Sequence, residues 1–130
     1  MSDSIFTKII KGEIPCHKVY EDDQVLAFLD IHPKTPGHVL IVPKKQVKFV
    51  WNLGDEEYQH LMGAAKKIAG RIQDVLEPTY VGLQIEGLGV PHAHVHVFPF
   101  ENARQYHYVP DQSVEPDHDQ LSKIATKLAF

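Results

Sequence analysis

Apolar residues recur at three- and four-residue steps through residues 55–77, at Tyr58, Leu61, Met62, Ala65, Ile68, Ala69, Ile72, Val75 and Leu76. One stripe at that spacing predicts a long amphipathic helix with a single buried side, and Pro78 stops it. The rest of the chain carries shorter signals. Ser4 can cap a short helix bearing Ile5, Phe6, Ile9 and Ile10, which Gly12 ends and Pro15 seals off. Residues 18–21 and 25–30 read as strands around a turn at Asp22-Asp23. Residues 38–42 are apolar and β-branched, the pattern of a buried strand, and Pro43 ends it. Between them, Pro33, Pro36 and Gly37 mark residues 31–37 as a loop. Residues 80–85 and 92–98 read as two more strands, joined by the turn Glu86-Gly87-Leu88-Gly89. Residues 102–116 are polar and aromatic without a period, and Asp117 caps a last helix carrying Leu121, Ile124, Ala125 and Leu128. Five strands, one long helix and two shorter ones, with mostly short connections, predict an α+β fold. An antiparallel sheet would carry the long helix on one face.

Length and composition narrow the partners. With 130 residues, 43% hydrophobic and 23% charged, the chain reads as one globular domain, residues 1–130. Thirteen Lys and Arg against seventeen Asp and Glu give a net charge of −4. An acidic surface lacks the pull that a nucleic acid polymer or an anionic membrane rewards, so neither is an expected partner. Cys16 stands alone, so no internal disulfide forms, and no apolar run approaches a membrane span. Met1-Ser2-Asp3-Ser4 has no basic-then-apolar leader. The expected location is the cytoplasm.

Nine histidines change the picture. Three of them stand in Pro91-His92-Ala93-His94-Val95-His96-Val97-Phe98-Pro99. Side chains alternate along a strand, so His92, His94 and His96 share one face while Ala93, Val95 and Val97 point into the core. Each imidazole has two nitrogens that need partners when buried, and packing alone is a poor reason for three of them. A metal site is one reading, with His38 as a further ligand. At about 3.3 Å per residue, however, His92 and His96 lie roughly 13 Å apart at Cα, and no acidic residue or cysteine adjoins the row in sequence. Nucleophilic catalysis is another. A neutral imidazole attacks phosphorus well when its neighbours fix its tautomer and neutralise the anion. The preceding Gly87-Leu88-Gly89-Val90 lets backbone N–H groups approach a phosphate.

His92-Ala93-His94-Val95-His96-Val97-Phe98 resembles the signature of the histidine triad family. Further segments resemble that family in order: Ser4-Ile5-Phe6-Thr7-Lys8-Ile9-Ile10, Gly12-Glu13-Ile14-Pro15, Val19-Tyr20-Glu21-Asp22, Ala27-Phe28-Leu29-Asp30-Ile31 and Pro36-Gly37-His38-Val39-Leu40-Ile41-Val42-Pro43-Lys44. The likeness covers roughly residues 3–100 and fades in the tail, residues 101–130. It implies an α+β fold whose sheet continues across a homodimer, and an enzyme that splits a nucleoside 5′-phosphoryl group from its leaving group. The expected substrate is a purine nucleotide, either a phosphoramidate or a dinucleoside polyphosphate, releasing a monophosphate such as AMP. By the same likeness His94 is the nucleophile that forms a nucleotidyl-histidine intermediate. His96 contacts the phosphate, His92 supports the row, and His38 stands behind it. Asp30 matches the acceptor of the ribose hydroxyls. Ile5, Phe6, Ile9, Phe28, Leu29 and Ile31 match the base pocket, and Gly89 and Val90 the phosphate-side backbone.

The chain departs from the family pattern in three places. Many bacterial relatives hold zinc through two cysteines, a later histidine and the first triad histidine, whereas this chain has Ser4, Thr7 and Gln46 at the first three positions. No metal and no cofactor are expected. The turn before the triad offers Gln84, with Ile85 and Gly89 where polar groups are common. The segment Arg104-Gln105-Tyr106-His107-Tyr108 has no match, and either reaches a partner's active site or packs on its own surface. His17, His60 and His118 read as solvated, His32 as bordering the pocket, and Lys44, Lys45 and Lys48 as a solvated cluster. The rival to the enzyme reading is a nucleotide-binding regulatory module with little turnover; a metal-storage protein is a distant third.

Overall fold

A computed structural model describes residues 2–130; Met1 lies outside the described residues. Five strands form one antiparallel sheet: β1 (Lys18–Glu21), β2 (Val25–Leu29), β3 (Val39–Pro43), β4 (Tyr80–Gln84) and β5 (Val95–Phe100). Their spatial order is β1-β2-β3-β5-β4. The long helix α2 (Asp55–Leu76) crosses from β3 to β4, which leaves room for β5 between them. Three shorter helices complete the fold: α1 (Ile5–Ile10), α3 (Ala103–His107) and α4 (His118–Leu128). No helix among the described residues is long and apolar enough to cross a membrane.

Local chemistry accounts for the helix ends. The Ser4 hydroxyl accepts the Thr7 N–H at 3.0 Å, and Asp117 and Asn102 cap α4 and α3 in the same way. Asp55, Glu56 and Glu57 fill the first turn of α2, where the helix dipole favours negative charge. Alternation then divides the sheet. Val25, Ala27 and Leu29 of β2, Val39 and Ile41 of β3, and Val95 and Val97 of β5 pack on one side against Leu61, Ala65, Ile68 and Ile72 of α2. Leu26, Phe28, Leu40 and Val42 point the other way and pack on Phe6 of α1. Two apolar clusters on opposite faces follow from one period of two.

Four expectations are corrected. The strand expected over residues 92–98 begins only at Val95, because the Ala93 N–H bonds to the Val47 carbonyl and the His92 N–H to that of Val90. The histidine row therefore starts in a turn and enters the strand at His96. Ala93 nevertheless stays in the α2-side core with Val95 and Val97. His38 likewise sits just before β3, which starts at Val39. Residues 102–116 contain a third short helix, α3, whose Tyr106 ring packs 5.7 Å from that of Phe98 and 5.2 Å from that of Phe100. The tail thus lies on its own sheet, and the Lys34 ammonium donates to the Tyr106 and Tyr108 carbonyls. Of the histidines and lysines read as solvated, His118, Lys45 and Lys48 are exposed, while the half-buried His60 and Lys44 pair with Asp22 and Glu21, each at 2.8 Å, and His17 meets His118 at 2.9 Å.

Candidate active site

The site lies on the face of the sheet opposite α2, where β2, β3 and β5 end together. His92 and His94 are buried, and His38 behind them is 3% exposed. Phe6 of α1 floors the row, its ring edge-on to His92 at 5.7 Å and to His94 at 5.2 Å.

Hydrogen bonds to backbone groups fix each tautomer, because an N–H can only donate and a carbonyl only accept. The Lys34 N–H donates to His38 Nδ1 at 3.0 Å, so the His38 proton is on Nε2. That proton is donated to His96 Nδ1 at 3.0 Å, which places the His96 proton on Nε2, 2.9 Å from a Glu86 carboxylate oxygen. His94 runs the opposite way. Its Nδ1–H donates to the His92 carbonyl at 2.7 Å, which leaves the lone pair on Nε2. Every buried side-chain polar atom among the described residues has a partner, so this unpaired Nε2 is open to solvent. The arrangement presents one unprotonated nitrogen beside one N–H donor.

Burial pushes His38 down to about 3 and lowers His92 and His96 below the usual imidazole value. These three rings are neutral at pH 7. Asp30 follows β2 on the same face as His38, its carboxylate 3.8 Å from His38 Nε2. Burial raises its pKa, while the His32 N–H donates to one oxygen at 2.9 Å. The other oxygen keeps free lone pairs, as an acceptor for a diol requires.

His92 is held on both sides. Its Nε2–H donates to the Pro43 carbonyl at 2.8 Å, and its Nδ1 accepts from the Ser4 hydroxyl at 2.7 Å. The Ser4 N–H donates to the Gln46 side-chain oxygen at 2.8 Å, and the Thr7 hydroxyl to the same oxygen at 2.5 Å. With His92, these are the positions at which the family likeness would place zinc ligands. Two hydroxyls, an amide and an imidazole with both nitrogens engaged do not fit that ion, which takes thiolate, imidazole or carboxylate ligands. The cluster closes on itself through hydrogen bonds instead.

The remaining expected residues separate. Phe6 and Phe28 are buried beside the row, with Ile9 and Val90 packed partly buried against them. Ile5 and Ile31 are exposed at the rim. Gly89 adopts a left-handed φ of +89°, with nothing within 4 Å of where a Cβ would stand. Leu29 does not join them. It packs in the α2-side core, because adjacent strand residues face opposite ways and Phe28 takes the site side. Gln84 stands directly across from His96 in the β4–β5 pairing and shares its face. Glu86, given no role from the sequence, lies with His94 and His96, their ligand atoms all within 4.8 Å of one another. It sits in the glycine turn ahead of the triad, and that acidic side chain two residues after Gln84 was the available signal.

Known proteins resemble this chain in sequence and in fold. The HIT domain family matches residues 11–103. An "Uncharacterized HIT-like protein" of Borreliella burgdorferi is 42% identical over 110 residues, covering 78% of this chain and 79% of that protein. "Adenosine 5'-monophosphoramidase HNT1" of Saccharomyces cerevisiae is 36% identical over 128 residues, covering 95% and 79%. A crystal structure of a Hit-like protein from Bartonella henselae superposes with a TM-score of 0.83 at 30% identity, covering 98% and 97%.

Proposed function

The chain belongs to the HIT family, and from that premise we propose that it is a nucleotide hydrolase working through a covalent nucleotidyl-histidine. Its substrate is a purine nucleoside 5′-phosphoryl compound, a phosphoramidate or a dinucleoside polyphosphate. The observation that carries the reading is the His94 tautomer: its Nδ1–H donates to the His92 carbonyl, so Nε2 is the lone-pair nitrogen of the neutral ring. The monophosphoramidase relative supports the substrate class.

In the first step the His94 Nε2 lone pair forms a bond to the α-phosphorus as the bond to the leaving group breaks. The leaving group departs hydrogen-bonded to His96 Nε2–H and takes its proton from water, because a neutral His96 that gave up its only proton would become an imidazolate. In the second step water attacks the phosphorus, the bond to His94 Nε2 breaks, and the monophosphate is released as the water's spare proton passes to solvent. Asp30 accepts from the ribose hydroxyls. Phe6, Phe28 and Ile9 form the floor and wall of the base pocket, with Ile5 and Ile31 at its rim. Gly89 and Val90 offer backbone to the phosphate. His38 and His92 are positioning residues that hold His96 and His94. No metal takes part in these steps.

The protein acts as one domain and as a homodimer in the cytoplasm. The edge of β1 is covered by the C-terminus, where the Phe130 N–H bonds to the Val19 carbonyl. β4 ends the sheet on the other side with Tyr80 and Leu83 exposed, and pairing there with a second copy would continue the sheet.

The test is AMP release from adenosine 5′-phosphoramidate and from diadenosine polyphosphates, with His94→Ala as control. Release by the parent and none by the variant is expected. Equal release by both would remove His94 from the mechanism. Tight AMP binding without turnover of either substrate would favour a regulatory module.

A further inference from the structure

The proton that His96 holds points at a carboxylate. Glu86 lies 2.9 Å from His96 Nε2, with its side chain 35% exposed against 16% for His96. It therefore stands at the mouth, with the histidines behind it. It arrives from the β4 side, two residues after Gln84, which pairs with His96. Asp30 arrives from the opposite side, at the end of β2. The two carboxylates flank the same imidazole, and both act on it electrostatically. A nucleotide with its ribose at Asp30 and its phosphorus at His94 therefore sends its leaving group out past Glu86.

The groups around the triad offer a phosphoryl ligand little positive charge. His38, His92 and His96 are held neutral by burial. The nearby ammonium of Lys34 acts on His38 but is turned to the Tyr106 and Tyr108 carbonyls. The acidic groups that act on the donor His96 are Glu86 and Asp30, with Glu86 the stronger. A polyphosphate leaving group brings further negative charge to that mouth and meets Glu86. A leaving group with an ammonium is drawn to it.

Resting on the phosphoryl-transfer reading above, we propose that Glu86 is the specificity-determining residue of the leaving-group side, selecting nucleoside 5′-phosphoramidates of cationic amines over dinucleoside polyphosphates. The same carboxylate accepts the His96 N–H that faces the departing group, so the charge and the donor meet that group at one point. The left-handed Gly87 and Gly89, at φ +80° and +89°, shape the turn that brings Glu86 back over the triad.

The experiment compares kcat/KM for three adenosine 5′-phosphoramidates with leaving amines of similar size: ethylenediamine, n-propylamine and glycine, which are cationic, neutral and anionic. Diadenosine tetraphosphate is the fourth substrate. In the parent at low salt the cationic amine should exceed the anionic one by about tenfold or more, with diadenosine tetraphosphate lowest. In Glu86→Gln the cationic-to-anionic ratio should fall to within about twofold of one, and diadenosine tetraphosphate should gain relative to n-propylamine. Ratios within one enzyme cancel any common loss of chemistry. The parent supplies a check independent of the variant's folding: its ratio should shrink as salt rises from about 0.02 M to about 0.5 M. A parent with no charge preference, or a preference unchanged in Glu86→Gln, overturns the role of Glu86 and leaves the hydrolase reading standing. A parent that releases AMP from none of the four overturns that reading, and the role of Glu86 with it.

Discussion

The two faces of the sheet use the same strands for opposite ends. On the α2 side Val25, Ala27, Leu29, Val39, Ile41, Val95 and Val97 meet Leu61, Ala65, Ile68 and Ile72, and all are buried with nothing polar among them. On the other side His38, His94, His96 and Asp30 share the surface with Phe6, Phe28 and Leu40, and the imidazoles have specific hydrogen-bond partners. Apolar contacts are non-directional, so the α2 side tolerates repacking of similar volume. Hydrogen bonds to fixed backbone groups are directional, so the histidine side tolerates very little. What it gains is a set of rings with assigned protons. The His94 lone pair and the His96 N–H are opposite states of one residue type two positions apart, set by a carbonyl in one case and a chain from the Lys34 N–H in the other.

The contrast breaks most visibly in a pair of variants. Ile68→Ala on the α2 side should lower unfolding free energy by about 2–5 kcal/mol in denaturant titration. His94→Ala should lower it by no more than about 1.5 kcal/mol and cut turnover by about a thousandfold or more. Equal denaturant midpoints for the two variants would end the division of labour.

The next largest effect is on pH. His38 sits at about 3 in the fold against 6.5 when free. A histidine depressed by folding makes the unfolded chain bind more protons, so stability falls as pH drops from about 6.5 towards 3. The slope is up to about 1.4 kcal/mol per pH unit for each such ring. His92 and His96 add to it, and Asp30, raised by burial, opposes it at the acidic end. Thermal melts of His38→Phe should be flatter over this window than those of the parent; an unchanged slope would mean the ring is not held neutral.

Asp30→Ala should weaken AMP binding by about tenfold and 2′-deoxy-AMP binding by less, as calorimetry would show. Equal losses would remove the ribose role. The smallest effect is at Ser4. Ser4→Ala removes an N-cap and the partner of His92 Nδ1 together, for about 1 kcal/mol of stability. A several-fold fall in kcat is also expected, restored by Ser4→Thr. Stability loss without a change in kcat would make Ser4 a cap only.

The sequence declared the α2 side almost completely. The 3.6-residue stripe of α2 and the alternation of β2 and β3 are local patterns, and local patterns survive folding. Alternation also found the histidine face although residues 91–94 are not strand, because burial of Ala93 preserves the period. The same rule applied to Phe28 and Leu29 separates them, and the family likeness overrode it. Other features lay beyond a local reading. The contacts of Ser4 with His92 and with Gln46 join residues 88 and 42 positions apart. Glu86 reaches His96 only because β4 and β5 pair and two left-handed glycines turn the loop. Helix α3 has no apolar period, since it packs through the Tyr106 ring rather than through a stripe.

The covalent intermediate is the central claim, and it is open to direct capture. Rapid acid-free denaturation of the enzyme during turnover of adenosine 5′-phosphoramidate, followed by peptide mass spectrometry, should find one adenylyl group on His94. That adduct should be acid-labile, as a phosphorus–nitrogen bond is, and absent from His94→Ala. Turnover with no adduct at any quench time, or an adduct on another residue, would contradict the account.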